Sequence, residues 1–322
     1  MSADFETTLG NTGLPVTRIG LGLAALGRPG YITLGHAEDL RGHTDVESME
    51  RGAHDVLDAA YAGGVRYFDA ARSYGLAEAF LASWLSERGF GPDDVTVGSK
   101  WGYMYTANWR VDAKVNEVKD LSAATLERQL TESQELLGNH LRLYQIHSAT
   151  LESGVLDDPG VMEELARLRA NGMAIGFTTT GPRQAETIER ALEVGGFDAV
   201  ESTWNLLERS AGSALEAAHH EGLGVMIKEA LANGRLTNRG EVPELREAAR
   251  LAGSTPDALA LSSVLAQPWV DVVLSGATTV PELESNLVAR SLEPGPDAVE
   301  LLDAIGEDAD TYWHKRSELP WN

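Results

Sequence analysis

Gly20-Leu21-Gly22-Leu23-Ala24-Ala25 ends the first β-prone run, 17–22, and its reading separates the two folds open to an α/β chain of 322 residues. An open doubly wound sheet that binds a dinucleotide turns here through Gly-x-Gly-x-x-Gly directly into a helix, the third glycine permitting close helix–strand packing. In this chain the third position is Ala25, and a long loop follows instead of a helix. The rival is a closed barrel, which requires eight β-α units.

Further short apolar runs fall at 65–69, 95–100, 143–147, 173–178, 199–203, 224–228 and 272–275, making eight with the first. Between them lie amphipathic stretches. In 46–62, Val46, Met49, Ala53, Val56, Leu57 and Ala60 fall on one helical face. Others cover 76–88, 123–137, 161–170, 184–194, 213–221, 256–266 and 280–289, several followed by a glycine suited to terminate a helix, such as Gly89 and Gly222. This alternation implies a parallel sheet with right-handed crossovers, and eight units predict a (β/α)8 TIM barrel forming a single domain over 1–322.

Gly10-Asn11-Thr12-Gly13 and Pro15, between short β-prone pieces, predict an N-terminal β-hairpin ahead of the barrel. Two segments, 26–44 and 101–121, are too long for simple connectors. Both emerge at the C-terminal face, where long loops serve function. The second carries Trp101, Tyr103, Tyr105 and Trp109, which either pack the loop or wall a substrate. The aromatic tail 312–321 is suited to fold over the barrel mouth.

With 49 Asp+Glu against 26 Lys+Arg, the net charge of -23 repels phosphate backbones and anionic headgroups, arguing against nucleic acid and membrane surfaces as partners. Any dinucleotide site must therefore concentrate local donors. The absence of Cys excludes disulfides and thiolate chemistry. The acidic start, Met1-Ser2-Ala3-Asp4-Phe5-Glu6, lacks signal-peptide character, so a cytoplasmic location is the default expectation. His219-His220 reads as a solvated helix end, and no metal is expected.

Four polar residues fall at or just beyond strand ends: Asp69 and Tyr74 after the second, Lys100 on the third, His147 on the fourth. Singly, a strand-end Lys or Asp is more often a structural ion pair, and a His a packing residue. Together their chemistry is coherent. A carbonyl that accepts hydride needs a proton donor; a neighbouring ammonium lowers the pKa of a phenol; a carboxylate orients the ammonium; an imidazole hydrogen-bonds the substrate oxygen.

Phe68-Asp69-Ala70-Ala71-Arg72-Ser73-Tyr74-Gly75, Gly98-Ser99-Lys100 and Leu143-Tyr144-Gln145-Ile146-His147 resemble three signature segments of the aldo-keto reductase superfamily. The likeness continues through Trp204-Asn205-Leu206-Leu207-Glu208 to Leu274-Ser275-Gly276-Ala277-Thr278-Thr279-Val280-Pro281. It implies an NAD(P)-dependent oxidoreductase acting on a small carbonyl or alcohol, with Tyr74 as general acid, Lys100 and Asp69 as its tuning pair and His147 as the orienting donor. It also implies a cofactor lying across the later strand ends. Gly22 is counted among its contacts; Thr178 and Thr179 stand where Ser-Asn commonly clamps the carboxamide, Glu201 where Gln is usual, and Lys228 where an aromatic stacks.

The loop Ala230, Leu231, Asn233, Gly234 and Arg235 is expected at the pyrophosphate, with Arg235 gripping it. Ser275, Gly276, Thr278, Thr279, Glu282 and Asn286 are expected at the adenosine end, with the N-terminal amides of the following helix on a phosphate. The family default is NADP(H), with NAD(H) a close alternative, because Thr278 and Glu282 replace the usual Arg or Lys and a carboxylate suits a ribose hydroxyl. Trp101 and Tyr103 are expected to wall the substrate. Two other readings stand beside this one: a cofactor-sensing regulatory subunit, and a barrel using tightly held cofactor for a non-redox rearrangement.

Overall fold

The computed structural model describes residues 6–322; the acidic start, 1–5, lies outside the described residues. Eight parallel strands close a barrel in sequence order. They are β1 (Ile19–Gly22), β2 (Tyr67–Asp69), β3 (Thr96–Trp101), β4 (Leu141–Ala149), β5 (Ala174–Thr179), β6 (Ala199–Thr203), β7 (Gly224–Lys228) and β8 (Val272–Ser275). Helices α1 (Val46–Ala62), α2 (Ala77–Arg88), α3 (Ala123–Leu137), α4 (Pro159–Ala170), α5 (Gln184–Val194), α6 (Gly212–His220), α7 (Pro256–Leu265) and α8 (Val280–Leu287) accompany them. His219 and His220 occupy the last turn of α6.

Strand alternation decides which side chains reach the mouth. On β7, Val225 and Ile227 pack against the helices while Met226 joins Tyr67, Leu143, Ala199 and Val272 inside the barrel. Lys228, two residues beyond Met226, therefore shares the inner face. The same parity puts Asp69 above Tyr67, Glu201 above Ala199, and Gln145 and His147 above Leu143. Each fully buried Leu, Ile or Phe contributes roughly 1.5–3 kcal/mol, so slipping a strand by one residue would be costly and would turn these polar groups into the helix layer.

The antiparallel pair Thr7–Thr8 and Pro15–Val16 is the expected hairpin. Its Leu9, Leu14 and Val16 pack on the interior cluster, and Asn11 N–H donates to the Gly222 carbonyl (2.9 Å), closing the opposite end of the barrel. The loop 26–44 contains the short helix His36–Leu40, and the loop after β3 folds back as a hairpin, Tyr103–Tyr105 against Glu117–Lys119. Helices Pro243–Ala252, Pro296–Asp303 and Ala309–Ser317 were not among the sequence expectations; Leu245, Ala249, Leu302, Tyr312 and Trp313 form a second apolar cluster there. Among the described residues no helix is long and apolar enough to cross a membrane.

Candidate active site

Local structure explains why the four strand-end residues meet. Beyond Asp69 the chain turns through Gly75 in the left-handed region (φ 62°), where a Cβ would collide with the Gly27 carbonyl. Leu76 N–H donates to that carbonyl (2.8 Å), so the turn bearing Tyr74 is fastened to the start of the loop 26–44. His147 sits where the β4–β5 register shifts; Ser148 beside it has φ 57°, and its N–H donates to Thr178 Oγ1 (2.7 Å). Such a bulge re-aims a side chain at the end of its strand.

Lys100 pairs with Asp69 and lies 3.3 Å from a Glu201 oxygen, all three buried. Tyr67 hydroxyl donates to the other Asp69 oxygen (3.3 Å), and Gln145 Nε2 donates to Glu201 (3.1 Å). Lys100 Nζ is 5.3 Å from the centre of the Tyr74 ring. The Tyr74 and His147 rings meet edge to face at 5.5 Å, and Ser73 hydroxyl is 3.4 Å from His147 Nδ1. If that hydroxyl donates, the imidazole proton stays on Nε2.

The electrostatics differ from the sequence expectation. Burial pushes the Tyr74 phenol above its ordinary range; Lys100 pulls it down, but Glu201 and Asp69 push it up again. Burial also raises Asp69, Glu201 adding to the effect against Lys100. Lys100 stays charged because these two carboxylates outweigh its own desolvation. His147 falls well below the usual imidazole range, first through burial and then through Lys100, Lys228, Arg28 and Lys119. The site thus holds a neutral phenol and a neutral imidazole above the buried Lys100 ammonium and its two carboxyl partners.

Asp69, Tyr74 and His147 line one end of a cavity of about 590 Å³ whose other end reaches Asn286. Of the expected cofactor contacts, Gly22, Glu201, Lys228, Ala230, Leu231, Asn233, Gly234, Ser275, Gly276, Thr278, Glu282 and Asn286 line it, and so does Tyr103, whose ring lies 5.0 Å from that of His147. Two features of the lining leave room and a free acceptor for a nucleotide cofactor: Gly276 has open space where a Cβ would stand, and Asn233 Oδ1 is buried without a partner.

Five expectations are corrected. Trp101 is wholly buried and absent from the cavity wall, because β3 continues one residue past Lys100 and the pleat turns Trp101 into the helix-side core. Thr178 is occupied by the Ser148 amide, and Thr179 bonds the Ser202 hydroxyl (2.8 Å), so neither faces the cavity. Arg235 is carried away by the left-handed Asn233 (φ 54°) and pairs with Glu307 at 2.6 Å. Thr279 is the N-cap of α8, and the Thr278 and Thr279 amides donate to Glu282 at 2.9 and 3.2 Å. The helix terminus expected to receive a phosphate already holds a carboxylate of its own chain.

Other cavity residues went unforeseen. Asp39, from the loop 26–44, chelates Arg239, which also reaches Glu282 at 3.1 Å. Arg316, from the aromatic tail, grips Glu229 through two donors, and Trp321 lines the wall as the tail reading anticipates. Burial opposes the Glu229 charge, but Arg316 and Lys228 hold its carboxyl down to about 2. Arg28 pairs with Glu117 and lies 5.3 Å from the Tyr74 ring centre. The Cys-free, charge-rich loops gave no spacing by which to pair these residues; only the tail's Arg316 among aromatics offered a hint.

A closed parallel barrel gathers these groups at one end of the cavity at its mouth, and the family whose model the chain matches is one of oxidoreductases. Residues 18–307 match the model of the Aldo/keto reductase family, and the chain belongs to that family. It is 25% identical to the uncharacterized oxidoreductase YrpG of Bacillus subtilis (strain 168), covering 95% of this chain and 98% of that protein. It is 26% identical to pyridoxal 4-dehydrogenase of Microbacterium luteolum over 73% of each chain. The aldo-keto reductase AKR11C1 from Bacillus halodurans, solved in its holo form, superposes with a TM-score of 0.70 at 21% identity, covering 94% of this chain and 98% of that one; this likeness bears on the fold alone.

Proposed function

We propose that this oxidoreductase interconverts a small carbonyl compound and its alcohol with a nicotinamide dinucleotide, Tyr74 exchanging the proton. The carrying observation is the meeting of Tyr74 and His147, rings 5.5 Å apart, at the end of the cavity directly above the Lys100 ion pair. A bound nicotinamide supplies the hydride donor or acceptor. The protein's own residues do the rest.

In reduction the neutral Tyr74 phenol donates its proton to the carbonyl oxygen, while His147 donates a hydrogen bond that fixes that oxygen's direction. Lys100 stabilises the phenolate left behind, and Asp69 with Glu201 keeps the lysine charged in its dry position. In the reverse direction the Tyr74 oxygen accepts the alcohol proton. Tyr103, Tyr31 and Trp321 supply aromatic wall to exclude water from the reacting carbon.

NAD(H) fits the adenosine end better than the family default, NADP(H). The Thr278 and Thr279 amides are taken by Glu282, and Arg239, the cation nearest that carboxylate, is shared with Asp39. A 2′-phosphate would meet two carboxylates around one occupied guanidinium, whereas a ribose hydroxyl could donate to either. Fluorescence titration with NADH and NADPH separately, then aldehyde turnover with the tighter one, tests the reading. Binding without turnover across a broad carbonyl panel would favour a cofactor-sensing role; no binding of either nucleotide would end the proposal.

A further inference from the structure

The floor of the cavity sets two carboxylates, Asp69 and Glu201, around one lysine. Lys100 pairs with Asp69, and Glu201 also lies 3.3 Å from it, 1% exposed, with Gln145 as its neutral donor. Glu201 lines the cavity directly. On the neighbouring strand, in register through Thr203 and Lys228, the Lys228 ammonium reaches Thr203 Oγ1 (3.1 Å) and has no carboxylate within 4.0 Å among the described residues. The charged groups acting on it are Glu229, already bound to Arg316, then Glu201 and Lys100. A buried carboxylate, held on its other side by Lys100, and a half-buried ammonium therefore face one space without pairing with each other.

The geometry of hydride transfer says what occupies that space. The reacting carbon must lie within about 3–3.5 Å of its hydride partner while its oxygen meets Tyr74 and His147. The nicotinamide ring is thereby confined to within a few ångströms of the Tyr74–His147 pair, over the floor made by Glu201 and Lys228. That ring is cationic when oxidised and neutral when reduced, so a fixed charge beneath it separates the two forms energetically. A low-dielectric floor magnifies the separation.

We infer that Glu201 sets the cofactor's redox preference, its carboxylate favouring the oxidised, cationic nicotinamide over the reduced one, with Lys228 as the opposing counterweight. This rests on the dinucleotide reading above and goes beyond it, because it assigns to one side chain a bias of the bound couple toward its oxidised form, and so toward hydride donation from the reduced cofactor to a carbonyl. An amide at the same position would keep the hydrogen bond from Gln145 and lose the bias.

The test measures dissociation constants for NAD+ and NADH, by calorimetry and fluorescence, in the parent, Glu201→Gln and Lys228→Met proteins, with thermal melting to verify folding. The expected result is that Glu201→Gln weakens NAD+ relative to NADH by roughly tenfold or more, and Lys228→Met shifts the ratio the other way. An affinity ratio within twofold of the parent in Glu201→Gln overturns the inference while leaving cofactor binding intact. Should that variant fail to fold, an unmoved ratio in Lys228→Met overturns the charge-balance argument on its own. A parent protein that binds neither form sinks the dinucleotide reading first, a separate and recognisable failure.

Discussion

Lys100 Nζ stands 5.3 Å from the centre of the Tyr74 ring, close enough to favour the phenolate, yet the phenol's pKa lies above its ordinary value. Burial outweighs the ammonium, and Glu201 and Asp69 push the phenol up further. The neutral phenol is thus the resident form at every ordinary pH. Reduction uses that form, so the phenol itself adds no pH dependence between about pH 6 and 8, whereas oxidation uses the phenolate and should quicken as pH rises. Parallel pH profiles of kcat in both directions check this; an oxidation rate that falls as pH rises from neutrality would contradict the assignment.

Removing the hydroxyl should stop chemistry while sparing binding. Tyr74→Phe keeps the edge-to-face packing on His147 and loses the proton donor, so we expect kcat for reduction to fall by roughly a hundredfold or more with NADH affinity nearly unchanged. A few-fold change would mean that another group delivers the proton.

Much of this was legible in the chain itself, and the reason differs from part to part. The bounds of β6, β7 and β8 follow the apolar runs because each is a short inner strand flanked by clear turn residues. Asp69, Lys100 and His147 were visible because strand parity and strand ends put them at the mouth. Trp101 was misread for the same reason: one further residue of strand inverts the face. Asp39 and Arg239 were illegible, since they lie 200 residues apart and meet only after the loop 26–44 crosses the cavity. Arg235 was misassigned because the left-handed Asn233 that turns it outward leaves no mark in residue type.

Trp101 should accordingly behave as a core residue. Trp101→Ala is expected to cost about 3–5 kcal/mol of stability, read from denaturant unfolding, with little change in substrate KM for the protein that remains folded. A large KM effect with unchanged stability would restore it to the substrate wall.

The carboxylates around Arg239 make a specificity prediction. Asp39→Asn combined with Glu282→Gln frees the guanidinium and removes the charge a 2′-phosphate would meet. NADPH affinity should rise by about tenfold while NADH affinity changes little, and the gain should shrink with added salt because Arg239 is substantially exposed. Equal effects on both nucleotides would show that these residues only fasten the loop.

That loop carries its own titration. His36, in the segment crossing the cavity, is fully buried against Tyr31, ring centres 6.2 Å apart, and its pKa is pulled down to about 4, chiefly by burial with Arg28 and Arg239 adding to it. Released into water the imidazole titrates near its ordinary value of about 6.5. The released loop therefore binds a proton that the closed loop refuses. The closed form is fully favoured above that value and loses ground as pH falls towards 4, by up to roughly 3 kcal/mol. The contacts at stake join the segment to Asn322: Tyr31 N–H donates to its carbonyl (3.1 Å), and its Nδ2 donates to the Thr33 carbonyl (3.0 Å). Proteolytic cleavage within 26–44 should accelerate between pH 6.5 and 5 while the barrel stays folded by circular dichroism. His36→Phe should flatten that dependence, because an aromatic ring of similar shape retains the packing on Tyr31 and has no proton to gain. Cleavage rates equal at both pH values in the parent would show that the segment is held by its backbone bonds alone.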